Sequence, residues 1–290
     1  MMAYTQTLAW TAWLVAAAAG GPGARPPAET PATRPAGQTA TRPATRPAES
    51  PKTTTRPTTK PAADPEVDRL LSALEKAGRR YETIRAAIEY KAVNPLLGDE
   101  ETRAGWVAYR RGSEDEPTKF RIHFDSLRLD DGPKLPVKVD YAYDGSLLTI
   151  ARHRIKQINR YRVPRPQRRN PLKLGEGPFP MPFGQEADDM RRHFNVTTRP
   201  PGDKAPKGTD YLKLKPRGEG KLVGIEMWVD KKTRLPARIV TRQRNRNVVT
   251  VTFSDPRTNV EIDPKTFGIP RPLDYRETVE NLGDAGKLTP

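Results

Sequence analysis

The chain has 290 residues, 31 of them proline and none cysteine, and carries a formal net charge of +16. Without cysteine there is no disulfide framework, no thiolate metal site and no N-terminal cysteine to carry a lipid. The length admits one large β domain or two small ones. The basic balance suggests an anionic partner (nucleic acid, phospholipid head groups or an acidic wall polymer) or simply a basic surface that keeps the protein in solution.

Residues 8–19 are apolar and small, ending Val15-Ala16-Ala17-Ala18-Ala19 before Gly20. The run is too short to span a bilayer but suits the apolar region of a signal peptide, with Ala17-Ala18-Ala19 as a small-x-small cleavage site. No Lys or Arg precedes it, and an uncleaved apolar tail is the alternative. We expect residues 1–21 to be a signal peptide and the destination to be the periplasm. Residues 22–65 are almost entirely Pro, Ala, Thr, Arg, Gly and Glu, with Thr-Arg-Pro recurring at Thr33, Thr41, Thr45 and Thr55. Nothing there larger than Ala is apolar, so burial cannot offset the entropy of ordering, and the stretch reads as an extended, disordered spacer. It holds seven bases and three acids, so most of the positive excess stays with residues 66–290, the expected folded domain.

That domain opens on a helix over 66–81. Val67, Leu70, Leu71, Leu74 and Ala77 recur at helical spacing, Asp64 is placed to cap and Pro65 to take the first turn. Ten strands follow, near 84–94, 103–111, 118–126, 134–143, 147–153, 156–163, 211–216, 222–230, 236–243 and 247–254. Their links carry turn signals, among them the tight hairpin Tyr143-Asp144-Gly145-Ser146, and their shortness favours antiparallel neighbours. Residues 164–206 break the pattern. They read as a Pro- and Gly-rich insertion with one helix at 186–194, either a lid or binding loop or a plain excursion.

Alternation along the strands separates a dry face from a wet one. Phe120, Ile122, Phe124, Val139, Tyr141, Ile225, Met227 and Val251 fall on the dry side. Lys119, Arg121, Asp140 and Glu226 fall on the wet one. The dry face is too large to leave to water. It either packs a closed β core or, in a curved sheet with helices at its mouth, lines an apolar cavity for a ligand.

Catalytic signatures are missing. There is no H-E-x-x-H, G-x-S-x-G, P-loop or G-x-G-x-x-G. The three histidines have no metal spacing, and His123 reads as a solvated surface side chain. We therefore expect no enzyme, no metal and no cofactor. The densest charge is basic: Arg152, Arg154, Lys156, Arg160, Arg162, Arg165, Arg168 and Arg169 occur with no intervening acid. Only Tyr161 interleaves, too few aromatics for a single-strand stacking platform, so nucleic acid is not the expected partner. An anionic lipid surface or wall polymer fits the patch, as does plain solubility.

The order of these segments resembles the outer-membrane lipoprotein carrier (LolA-like) family over about 67–272. The resemblance rests on Tyr81-Glu82-Thr83-Ile84 after the helix, Ala104-Gly105-Trp106-Val107-Ala108-Tyr109-Arg110-Arg111, Lys119-Phe120-Arg121, Tyr143-Asp144-Gly145-Ser146-Leu147-Leu148, Leu212-Lys213-Leu214-Lys215-Pro216, Val229-Asp230 before Leu235-Pro236, and Asn259-Val260-Glu261-Ile262-Asp263-Pro264-Lys265-Thr266-Phe267. It implies a mainly β fold, a curved and incompletely closed antiparallel barrel with a helical lid. It also implies a monomeric periplasmic carrier that takes lipoprotein acyl chains or lipid between membrane-associated donor and acceptor proteins. In that family an arginine ending the glycine-led strand latches the lid. Arg110 or Arg111 holds that place here, without the proline that follows it in the family. The reading from another class is an exported β-sheet module that binds an anionic wall or membrane polymer through the basic patch.

Overall fold

The structure is a computed structural model, and it describes residues 64–113, 115–164 and 186–282. The expected signal peptide, the spacer up to residue 63, and residues 165–185 of the 164–206 insertion lie outside them. Helix α1 (Pro65–Arg80) starts where the sequence places it. The Asp64 carboxylate accepts from the Glu66 amide at 3.0 Å, Pro65 takes the first turn, and acids at the start and Arg79 and Arg80 at the end oppose the helix dipole. Val67, Leu70, Leu71, Leu74 and Ala77 form its buried side.

The strands are β1 (Thr83–Asn94), β2 (Asp99–Arg110), β3 (Lys119–Leu129), β4 (Val139–Tyr143), β5 (Leu147–Arg152), β6 (Gln157–Arg162), β7 (Phe194–Thr198), β8 (Thr209–Pro216), β9 (Leu222–Asp230), β10 (Pro236–Gln243), β11 (Val248–Thr258) and β12 (Arg276–Asn281). A short helix, α2 (Ala187–His193), precedes β7. All twelve strands join one sheet in the order β12-β6-β5-β4-β3-β2-β1-β11-β10-β9-β8-β7. The edges, β12 and β7, do not meet, so the barrel is incompletely closed, as expected. A sheet of this many twisted strands curls, and its inner face is buried from Tyr161 in β6 to Leu214 in β8 in one cluster with α1.

Two strands go beyond the expected ten. β7 lies inside the supposed insertion, where Phe194 and Val196 alternate toward the core. β12 is polar apart from Val279 and pairs β6 in parallel, the exception to the antiparallel pattern. Its Glu277 joins Arg160 of β6, so cross-strand charge does what apolar alternation does elsewhere. β4 is shorter than expected because Pro133 and Pro136 cannot donate to a ladder. Only Leu135 bridges back, to Leu127.

The outer face corrects the sequence reading most. Beyond β11 the chain turns back and crosses the outside of β2–β6. Ile262 and Phe267 pack on Ala108 and Trp106; Ile269 and Tyr275 pack on Ala142, Ala151 and Ile158. This part of the sheet is covered on both sides, so the face expected to be wet is dry there. Gly105 shows how tightly the sheet is built: a Cβ on it would lie 1.8 Å from the His123 carbonyl oxygen, at a bulge between β2 and β3.

Candidate functional site

The eight residues expected to face a ligand do come together. Phe120, Ile122, Phe124, Val139, Tyr141, Ile225 and Met227 are buried members of the single inner cluster, and Val251, half-buried, packs against it. Two strands on one flank of β1–β2, β3 and β4, and two on the other, β9 and β11, deliver them, because alternate side chains of each strand point inward. Phe124 is the centre of an aromatic group, edge-on to Tyr90 at 6.2 Å and to Tyr141 at 6.3 Å. The phenols report how dry this face is. Burial pushes the Tyr109 hydroxyl up to about 12 and those of Tyr90 and Tyr141 up as well.

The face is occupied by α1 in the state described. Among the described residues few polar contacts hold α1 in place: the Tyr81 hydroxyl donates to the Thr233 carbonyl at 3.0 Å, Arg191 of α2 pairs with Asp68 at 2.6 Å, and the Ala187 amide donates to Glu75 at 3.3 Å. The apolar side of the helix does the rest. Sequence reasoning missed one charged group on this face. Arg103 stands across from Tyr90 in the β1–β2 register, is buried, and pairs with Glu101. Alternation does place it, since Arg103, Gly105, Val107 and Tyr109 share one face of β2, but a charged side chain is not expected on the apolar side.

Arg110 does not latch α1. It follows Ala108 onto the outer face, donates to the Ile262 carbonyl at 2.8 Å and stands 5.7 Å from the Phe267 ring centre. Its contacts hold the returning C-terminal segment. Arg111 lies just past the end of β2 and lines an open groove of about 510 Å³ with Glu82, Thr83, Glu116, Asn259 and Glu261. The polarity of that groove suits no acyl chain.

His123 is not a solvated surface histidine. It is half-buried, stacked on Trp106 at 5.3 Å, with Nδ1 2.8 Å from Asp140 Oδ1. Asp140 was expected on a wet face and is 1 % exposed. Its Oδ1 also accepts from Arg121 Nε at 2.9 Å, and its Oδ2 lies 2.7 Å from His153 Nε2. Burial alone would raise this carboxyl. The Arg121 and His153 hydrogen bonds, the Arg121 charge and the His123 bond outweigh it and hold the group below its ordinary value. The His153 ring meets the Tyr275 hydroxyl at 3.0 Å, and Arg121 also donates to the Thr266 carbonyl, so the network ties the sheet to the crossing segment. The two histidines and the carboxylate converge on one another rather than on an open coordination site. Among the described residues no group of three or more acids and histidines could hold a metal ion.

The basic run is partly spent internally. Arg160 pairs with Glu277, Lys156 with Asp274 at 2.8 Å, and Arg152 donates to Asn159 at 3.4 Å. Arg154 and Arg162 are exposed. Arg165, Arg168 and Arg169 lie outside the described residues. Counting acids along the run missed those that β12 brings alongside it.

An open, largely antiparallel sheet with a helix across its apolar inner face is the architecture that the sequence resemblance implies. The observed sheet and helix match that expected architecture. No family model and no curated protein matches the chain by sequence. Solved structures similar to it include an uncharacterized conserved protein from Thermus thermophilus (11 % identity, TM-score 0.45, covering 74 % of this chain and 99 % of that one). A LolA superfamily protein from Nitrosomonas europaea is another (11 % identity, TM-score 0.32, covering 70 % and 97 %). A third is MucB in its complex with MucA from Pseudomonas aeruginosa (15 % identity, TM-score 0.40, covering 71 % and 61 %).

Proposed function

We propose that the protein is an exported, non-catalytic carrier that holds an acyl chain of a lipid or lipoprotein against the inner face of its sheet, with α1 as the lid. The observation that carries this reading is how α1 is held on the inner face. Its hold on the sheet is almost wholly apolar, and fully burying four aliphatic side chains is worth roughly 6–12 kcal/mol gross. A long acyl chain taken from water is worth ~10 kcal/mol at ~0.8 kcal/mol per CH₂. The two occupants are therefore matched, and one can replace the other on Phe120, Ile122, Phe124, Val139, Tyr141, Ile225, Met227 and Val251. A chain leaving a bilayer gains nothing from water exclusion. Loading from a membrane then requires a membrane-associated donor that also accommodates the apolar side of α1, and unloading requires an acceptor that does the reverse. Arg111 remains the proposed latch.

In this reading residues 1–21 direct export to the periplasm and residues 22–63 tether the domain. Intact mass of the exported form should show a start between about Gly20 and Ala24; a full-length chain confined to the cytoplasm would contradict export. Native mass spectrometry of freshly purified protein tests the carrier itself. A co-purifying lipid supports it, and empty protein that also binds no fluorescent fatty acid removes it. The alternative, a module binding an anionic polymer through the basic run, is weakened by the acids of β12 and the 271–275 turn that engage Arg160 and Lys156.

A further inference from the structure

Single exposed apolar residues are ordinary on a protein surface. Their placement here is not. Among the described residues eight large apolar side chains are exposed, and seven lie at one rim of the sheet. That rim gathers the ends of β1, β3, β5, β8 and β10 and the starts of β2, β4, β6, β7, β9, β11 and β12, as the strand registers dictate. Leu96 and Leu97, 62 % and 67 % exposed, form the β1–β2 turn. Leu129 ends β3 and Leu135 lies in the β3–β4 loop, Ile155 sits in the β5–β6 turn, Val223 is the second residue of β9, and Leu273, fully exposed, precedes β12. The eighth, Val279, is on the edge strand β12. The described turns of the opposite rim hold none.

We infer that this rim is a membrane-docking surface whose apolar tips enter the head-group region of an anionic bilayer. Two features choose the bilayer over a protein. A protein interface has a contiguous apolar core within a polar rim. Here the tips stand on separate turns around a curled sheet, which suits a fluid planar surface that each can enter alone. The second feature is charge. Exposed bases adjoin the tips: Lys134 beside Leu135, Arg154 and Lys156 on either side of Ile155, Lys221 near Val223, and Arg244 and Arg246 in the β10–β11 turn. Acids share the rim, namely Asp99, Asp130, Asp131, Glu219 and Asp274. Asp130 accepts from the Glu100 amide and Asp274 pairs with Lys156, so those two carboxylates are engaged within the fold. The excess is basic but modest. Charge brings the rim to an anionic surface and the apolar tips hold it there. Docking this way would present the sheet end-on to the membrane, and it does not depend on whether the inner face carries an acyl chain.

The absence of cysteine makes the test clean. In the full chain, L97C on the proposed rim and K232C in a turn of the opposite rim each take a single environment-sensitive fluorophore. Vesicles of phosphatidylglycerol and phosphatidylethanolamine should blue-shift and brighten the label at position 97 and leave that at 232 unchanged. Phosphatidylcholine vesicles should act only weakly, and added salt should weaken the anionic response. In an I155C background labelled the same way, L96S/L97S should weaken the response about tenfold, the loss of two buried tips. No shift at position 97, equal shifts at 97 and 232, or a response that survives L96S/L97S would each overturn the proposal. So would a concentration-dependent dimer in sedimentation, abolished by L96S/L97S, with no vesicle response; that result would make the rim a contact between copies.

Discussion

Asp140 in β4 and His153 beyond β5 are joined at 2.7 Å through Oδ2 and Nε2, and the far side of the same imidazole meets Tyr275 on the segment crossing the outer face. One carboxylate thus fastens two adjacent strands to the C-terminal part of the chain, with Arg121 and His123 on its other oxygen. Removing it leaves Arg121 half-buried without its counter-charge. We expect D140A to destabilise by about 3–5 kcal/mol in denaturant unfolding at neutral pH. The carboxyl is held below its ordinary value in the fold, so its contribution is complete above the unfolded pKa of about 4 and fades as pH falls through the folded value. The difference between D140A and the parent should shrink only in the acid range; a gap that instead closes near neutral pH would contradict this.

Gly105 and the His123 carbonyl set the spacing of β2 and β3. G105A must push the strands apart at the bulge, because its Cβ meets backbone rather than a movable side chain. The expected loss is ~3 kcal/mol or somewhat more. A thermal transition unchanged from the parent would mean that the bulge relaxes freely.

The lid is tested by weakening it without touching the sheet. Leu70 is 2 % exposed against the inner cluster. L70A should cost about 2–5 kcal/mol. If α1 competes with cargo, the same change raises the fraction of chains with an open face and tightens fatty-acid binding accordingly. Stability and affinity then move in opposite directions. Were both to fall together, α1 would be core rather than lid.

Much of the fold was legible because its inner face follows simple rules. The spacing of Val67, Leu70, Leu71 and Leu74 gave α1, and alternation in Phe120–Phe124 and Ile225–Val229 gave the inward side chains. The rest was hidden where tertiary partners override local pattern. β12 is Arg-Glu-Thr-Val-Glu-Asn, a strand by virtue of its pairing with basic β6. Asp140 and His123 alternate as solvent-facing residues should, and only the return of residues 260–275 over β2–β6 turns that side into interior. Arg110 was placed correctly at the end of its strand, but it alternates with Trp106 and Ala108 on the outer face, where no sequence pattern marks the returning segment. The apolar rim had no signal in any one segment, since the Leu96-Leu97 pair, Ile155 and Leu273 are far apart in sequence and share a rim only through sheet order.

The central claim is that an acyl chain and α1 compete for one face. Hydrogen exchange of the protein with and without palmitate measures this directly. The account predicts that amides of Pro65–Arg80 lose protection when palmitate binds while those of β1, β2 and β11 keep theirs. Binding that leaves α1 as protected as before, or no binding at all, would contradict it.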